Sequence, residues 1–425
     1  HDPEKPGWPR LPGRRRVLAT VVQWDRVRRG VRNLPRLRVT INPGEVSMRV
    51  FRVAMLIGVM AIPAAGVAYA HERGKKVYLT LNIIPHNEDL ALLDAYIEDI
   101  GKIPFDALIL SDPGTMMMIR EKLPNYEIHL STQANNTNFM SARFWHAQGV
   151  SRVILARELS FKEISETIAK SPEDLEFESF IHGAMCISYS GRCLLSNYMA
   201  DRDANRGDCA QACRWKYRLV EEKRPNEFYP VVETDQGTFF FNSKDLCMIG
   251  YIPELIQSGL VSLKIEGRMK SIYYVANIVR VYRRAIDRYY ADPENYVFDP
   301  EDLKEIQKAS HREFTTGFFF DKPDKNDQLY HNASYVRGYD FVGVVRDYDP
   351  ATQLATVEQR NRMLLGEEIE VMRQSGGDYL QKIKVMLSDQ GEPIDSAPHA
   401  QMILKMKMDQ PVQPLDILRR ERKGD

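Results

Sequence analysis

A chain of 425 residues, 44% hydrophobic and 27% charged, is long enough for two or three domains and has the composition of a soluble globular protein. Its 58 Lys and Arg balance 58 Asp and Glu, which excludes a whole-molecule polycation, so any nucleic-acid site has to be a local basic patch.

The amino-terminal stretch is atypical. Residues 1–47 are rich in Arg and Pro and lack helical or strand period, which predicts a segment outside any packed domain. From Met48 the run MRVFRVAMLIGVMAIPAAGVAYA has a basic start, an apolar stretch and Ala68-Tyr69-Ala70, the pattern of a secretory signal over 48–70. An apolar core helix or strand, interrupted by Pro63 and Gly66, is the other reading. The run falls short of the about 20 apolar residues of a membrane span, so no stable membrane association is expected. Clustered thiols further on favour a reducing compartment, hence a cytoplasmic location, with export as the alternative.

From residue 76 short apolar runs alternate with helical patterns. KVYLTLNI (76–83), FDALILSD (105–112), YEIHLSTQ (126–133) and SRVILARE (151–158) each precede an amphipathic stretch. LEFESFIHG (175–183) leads into a cysteine-rich region, and VSLKIEGR (261–268) precedes the long helical pattern SIYYVANIVRVYRRAIDRYY. Alternation of this kind predicts an α/β fold with a parallel sheet, a (β/α) barrel-like domain over 68–335, with a doubly wound sheet as the alternative. Polar residues follow each run: Asn82, Asp112, Gln133 with Asn135, Arg157 with Glu158, His182, and Glu266 with Arg268. In a barrel these carboxyl ends converge on the active site. Asp112 and the asparagines are equally suited to turns and caps.

Residues 214–245 interrupt the alternation, and YPVVETDQGTFFFNSKDL predicts a hairpin turning at Asp235-Gln236-Gly237. From 336 to 425 the pattern becomes strands and turns, a small all-β barrel that binds a partner or packs on the main domain.

Four of the five cysteines fall in HGAMCISYSGRCLLSNYMADRDANRGDCAQACRWKY: Cys186, Cys193, Cys209 and Cys213. Four thiolates complete either a zinc site or an iron–sulfur cluster. No C-x2-C zinc knuckle is present, and the spacing by itself leaves both metals open. Buried unligated cysteines and disulfides are the other readings. No nucleophile elbow, HExxH helix, phosphate loop or dinucleotide fingerprint occurs. A Cys186–His182 nucleophile pair remains conceivable on sequence. Arg214, Trp215 and Lys216 follow Cys213 directly, the mixture of cation and aromatic plane suited to single-stranded RNA.

Glu178-x-Phe180-x-x-Gly183-Ala184-Met185-Cys186 and Gly191-x-Cys193-x-Leu195-Ser196 resemble the signature of peptidase family U32, the collagenase-like peptidases. HLSTQANNTN, RVILARELS, RGDCAQACRWKY, NSKDL and SLKIEGRMKS are similar to its tRNA-hydroxylating branch. The resemblance implies an enzyme that takes part in converting the wobble uridine of tRNA to 5-hydroxyuridine, without molecular oxygen and dependent on prephenate. It implies a 4Fe-4S cluster on Cys186, Cys193, Cys209 and Cys213, with zinc as the alternative and Cys247 in reserve. Catalytic candidates are His182, Glu266 and Arg157. Arg157, Lys264 and Arg268 are candidates for a carboxylate co-substrate, and Gln133, Asn135, Arg214, Trp215 and Lys216 for the remaining substrate contacts, with tRNA and not DNA as the nucleic acid. The competing functions are collagenase-like proteolysis and a non-catalytic metal-binding scaffold. One departure stands out: the family's Gly-rich opening strand and turn are missing, so 1–67 are expected to lie outside the family fold and the sheet to be incomplete at its start.

Overall fold

A computed structural model describes residues 16–17, 64–186, 188–206, 208–215, 218–221, 224–230, 244–268, 270–322 and 335–422. The chain divides into two compact units. The first comprises His1–Met269, Ile286–Tyr296 and Phe314–Ala333; the second comprises Lys270–Ala285, Val297–Glu313 and Ser334–Asp425. The carboxyl-terminal unit thus takes in more than the module expected from 336 onward.

The first unit is built on a parallel sheet. Its strands are β1 (Arg16–Val17), β2 (Tyr78–Leu81), β3 (Ala107–Leu110), β4 (Ile128–Leu130), β5 (Arg152–Ile154), β6 (Glu176–Ala184) and β10 (Ser262–Ile265), in the spatial order β1-β10-β6-β5-β4-β3-β2. Strands consecutive in the chain are neighbours in space from β2 to β6, the order of a (β/α) barrel. The strands β3, β4 and β5 are buried at every position, as expected of a sheet covered on both faces. Three of the βα connections start their helix with a polar side-chain cap. Asp112 accepts from the Thr115 amide at 2.7 Å to open α2 (Pro113–Lys122), Asn138 caps α3 (Phe139–Ala147), and Ser160 forms a capping box with Glu163 on α4 (Phe161–Ala169). Asp112 is therefore a helix cap.

Two of the residues expected outside the fold, 16 and 17, form β1 alongside β10; a helix covers 64–71. The rest of 1–63, including most of the signal-like run, lies outside the described residues. Among the described residues no pairing joins β1 to β2 and no helix is long and apolar enough to cross a membrane.

The carboxyl-terminal tip of β6 takes a second partner. β9 (Asp245–Cys247) runs antiparallel to it, with His182 opposite Cys247, and β11 (Phe314–Thr315) joins β9. Within the interrupting segment β7 (Arg218–Glu221) pairs with β8 (Arg224–Pro230) as a hairpin, and the expected hairpin turning at 235–237 lies outside the described residues.

The second unit holds a seven-stranded antiparallel sheet. Its strands are β12 (Tyr339–Asp349), β13 (Leu354–Gln359), β15 (Glu368–Met372), β16 (Tyr379–Lys382), β17 (Met386–Ser388), β19 (Ile403–Lys407) and β20 (Ile417–Glu421), ordered β16-β15-β20-β12-β13-β19-β17. Val342, Val357, Ile369, Leu404, Met406 and Leu418 belong to its core. Beside it lies a fully buried guanidinium. Arg419 donates to Glu305 at 2.7 and 3.1 Å and to Glu370 at 3.0 and 2.7 Å, and Lys308 also reaches Glu370 at 2.9 Å.

Candidate active site

The four thiols lie on one excursion, residues 186–213, which leaves the carboxyl end of β6. Two glycines permit its path. Gly183 has φ 111°, and a Cβ there would stand 2.6 Å from the Glu266 carbonyl oxygen, so glycine lets β6 and the segment after β10 approach. Gly191 has φ 76° and lies against the Gln133 side chain, which a Cβ would meet at 3.0 Å.

The excursion is tied to the strand ends around it. After β4, Asn135 adopts left-handed backbone (φ 54°); its amide donates to the Ser190 carbonyl at 3.0 Å and accepts from Arg192 Nε at 2.8 Å. After β2, the Ile84 amide donates to the Asn205 carbonyl at 3.3 Å, and Arg206 pairs with Asp89 on α1 (Asn87–Ile100). Within the excursion Ser196, on α5 (Leu195–Ala200), accepts from the Ala210 amide at 2.8 Å, which holds the Cys209 strand of the loop against that helix. Cys213 sits on the 3-10 turn Ala212–Arg214, which packs on α5.

Burial pushes the Cys209 thiol up; Cys186 and Cys193 push it further, while the Gln211 amide and Arg268 oppose them. Cys186, Cys193 and Arg268 are therefore all within electrostatic reach of Cys209. Arg157, after β5, has a side chain only 7% exposed. Its Nη1 donates to Cys186 Sγ at 3.2 Å, its guanidinium lies 4.0 Å from the centre of the Phe180 ring, and its Nη2 is 3.9 Å from Glu266 Oε2. A guanidinium so placed gives the sulfur a charged hydrogen-bond donor. Among the described residues no three of the sulfurs lie within 4.8 Å of one another. Tetrahedral zinc would draw them to roughly 3.8 Å, given its Zn–S bond of about 2.3 Å. A cluster keeps its thiolates wider apart, because its own irons and sulfides lie between them.

The remaining candidates separate by role. His182 is buried in the sheet with its ring 5.7 Å from that of Phe314. The described hydrogen bond at the Cys186 sulfur comes from Arg157. Lys264 is engaged inside the sheet: its Nζ donates to Glu178 at 2.8 Å, and Glu178 also accepts from Ser262 at 2.6 Å, with Arg152 at 3.8 Å. Burial alone would raise the Glu178 carboxyl, but Lys264, Ser262 and Arg152 hold it below its ordinary range. Gln133 and Asn135 contact the excursion, and Glu266 accepts from the Arg268 amide at 2.9 Å while the Arg268 side chain is exposed. Trp215 is 45% exposed; the Arg214 side chain and Lys216 lie outside the described residues. Cys247 is buried on β9 opposite His182.

Ser190, Arg192 and Arg206 were not singled out from sequence, and Glu178 entered only as part of the family signature, with no role given to it. Glu178 carried one signal, an acid in the middle of an apolar strand; the other three act through partners 55 to 117 residues away.

Residues 45–329 match Peptidase family U32, and residues 337–419 match the Peptidase family U32 C-terminal domain. The chain is 43% identical over 357 residues to tRNA hydroxylation protein P1 of Bacillus subtilis (strain 168), which covers 84% of each chain. It is 37% identical over 380 residues to tRNA hydroxylation protein P of Haemophilus influenzae, covering 78% of this chain and 80% of that one. It is also 37% identical over 221 residues to the 23S rRNA 5-hydroxycytidine C2501 synthase of Escherichia coli (strain K12), 52% of this chain and 32% of that one.

Proposed function

The chain belongs to peptidase family U32, and from that premise we propose that it is a tRNA-modifying enzyme that hydroxylates a tRNA base. The observation that carries this is likeness along more than four-fifths of the chain to a protein named for tRNA hydroxylation. The finer reading is conversion of the wobble uridine to 5-hydroxyuridine in the cytoplasm, with prephenate as co-substrate.

The donor set suits a 4Fe-4S cluster. Cys186, Cys193, Cys209 and Cys213 supply four soft ligands from one excursion, and Arg157 offers a charge-assisted hydrogen bond to the first of them. Bound there, a cluster would supply redox or Lewis-acid chemistry. The chain's own residues do the positioning. Asn135 and Gln133 hold the thiol loop against the strand ends, Gly183 lets Glu266 approach β6, and Arg268 presents an exposed cation beside the thiols for an anionic substrate group. Lys264 balances the buried Glu178 and so serves the sheet.

The family's peptidase name suggests proteolysis as the other reading. The described partner of Cys186 is an arginine, which cannot serve as its base, so this contact does not favour a cysteine peptidase.

The test is anaerobic purification with iron and sulfide analysis, paired with nucleoside analysis of tRNA from a deletion strain. About four irons per chain, lost in Cys193→Ser, and a missing hydroxylated nucleoside restored by the wild-type gene are expected. Unaltered tRNA in the deletion strain would overturn the reading. Cleavage of gelatin abolished by Cys186→Ser would favour the peptidase.

A further inference from the structure

The thiol excursion carries large side chains turned toward solvent. Tyr198 is 81% exposed, Leu194 51%, Tyr189 46% and Trp215 45%, values that set them apart from the core tyrosines Tyr78, Tyr273 and Tyr282, each under 5%. They are not a floppy fringe. Leu194, the residue that caps α5, and Tyr198 within it are four residues apart and joined by a backbone hydrogen bond of 3.2 Å, which sets them on one side of the helix start. Trp215 closes the 3-10 turn that packs on α5, with its amide on the Ala212 carbonyl at 3.1 Å. Tyr189 starts the turn whose other end is Arg192, and Asn135 holds that turn from both sides.

The cations nearby differ in their commitments. Arg202 is spent on Asp208 and Arg206 on Asp89. Arg192 contacts only the neutral amide of Asn135, and Arg268 is exposed; among the described residues neither has a carboxylate within ion-pair distance. Flat rings on a braced scaffold, with uncommitted guanidinium groups beside them, complement a partner that has π faces and repeated negative charge.

We propose that Tyr189, Leu194, Tyr198 and Trp215 form a stacking surface for the unpaired bases of an RNA hairpin loop, with Arg192 and Arg268 on its phosphates. This rests on tRNA being the substrate. Double-stranded RNA offers side chains only its backbone and shallow groove, whereas splayed loop bases can stack. Because rings and thiols share one excursion, bases flanking the target would be held beside the thiols.

The experiment uses the full chain, matched for iron content, and measures the binding of unmodified tRNA and of its isolated anticodon stem–loop over a range of salt. Loss of one stacked base weakens binding roughly 5- to 150-fold, so Tyr198→Ala should fall in that range with an unchanged salt slope, and Tyr198→Phe should bind within about twofold of wild type. Arg192→Gln should lower the magnitude of the log–log salt slope by about one. Wild-type affinity in Tyr198→Ala and Tyr189→Ala, alone and combined, would overturn the stacking surface while leaving the substrate reading intact. So would a change in oligomeric state with unchanged RNA affinity, which would mark the face as a protein contact. A wild-type protein that binds neither RNA would sink the substrate reading, and this surface with it.

Discussion

Replacing Lys264 by Met separates a structural ammonium from a substrate-binding one. Lys264 Nζ lies 2.8 Å from a Glu178 oxygen that belongs to a side chain only 1% exposed. Removing one member of a buried pair typically costs 3–5 kcal/mol, because the other charge is stranded. Here Ser262 still donates at 2.6 Å and Arg152 remains at 3.8 Å, so the expected loss is at the lower end, about 3 kcal/mol. For a domain of this size that is a fall in Tm of about 6–12 °C. The pH dependence has a definite sign. The folded carboxyl titrates below its ordinary value of 4.5, so its contribution is fully present above that value and is lost as pH falls through the lower folded one. The gap between wild type and Lys264→Met should thus be full at neutral pH and shrink below about pH 4.5. The double variant Lys264→Met/Glu178→Gln should recover more than half the loss, since no buried charge is then stranded. Urea or thermal melts across pH give all of these values. Unchanged stability in Lys264→Met, combined with a raised KM for a carboxylate co-substrate, would refute the reasoning and return the ammonium to the substrate.

Gly183→Ala should yield insoluble or strongly destabilised protein, because the new Cβ would stand 2.6 Å from a carbonyl oxygen at φ 111°; soluble expression with an unshifted melt would show that the strand tip can relax. Arg157→Met removes a charge-assisted hydrogen bond from the Cys186 sulfur and should lower the reduction potential of a bound cluster, read by a spectroscopic redox titration, with Arg157→Lys intermediate. In the second unit the Arg419, Lys308 and Arg280 charges hold the buried Glu305 carboxyl at about 2, against the upward push of burial, from an ordinary 4.5. A drop of that size corresponds to about 3 kcal/mol that is present above pH 4.5 and lost as pH falls toward 2; Glu305→Gln should flatten the acid limb of the melting curve.

The parallel sheet was legible because its signals are local. Six apolar runs from KVYLTLNI to VSLKIEGR each contain a strand, and the amphipathic runs after them are helices, with Asp112, Asn138 and Ser160 as caps. What escaped is defined by distant partners. β9 and β11 are three and two residues long and exist only because the β6 tip and each other offer hydrogen bonds. β20 reads as a charged tail, ILRRE, yet it lies between β15 and β12, and its Arg419 is fully buried because Glu305 and Glu370 neutralise it. Periodicity cannot report a strand whose inward position is an arginine.

The site divides along the same line. Clustering of four thiols is a property of the sequence itself, so the candidate ligands could be named before any geometry. The work of the polar residues around them could not. Gln133 and Asn135 were expected to meet substrate because they follow a strand, and they do stand at the strand end, where they grip the thiol loop at Gly191, Ser190 and Arg192. Arg157 was expected to bind a carboxylate; its described polar partners are the Cys186 sulfur and Glu266, both supplied by the chain. A strand-end polar residue in such a fold has two possible employers, the ligand and the loop that presents the ligand. A long excursion raises the share taken by the second, because each ordered residue costs about 1–2 kcal/mol of backbone entropy. An excursion of this length, crossing from β6 past the ends of β4 and β2, must be held by many such contacts before its four sulfurs can serve one centre. Arg268, whose amide donates to Glu266 while its exposed side chain has no ion-pair partner among the described residues, is the strand-end residue whose guanidinium stays open to a ligand.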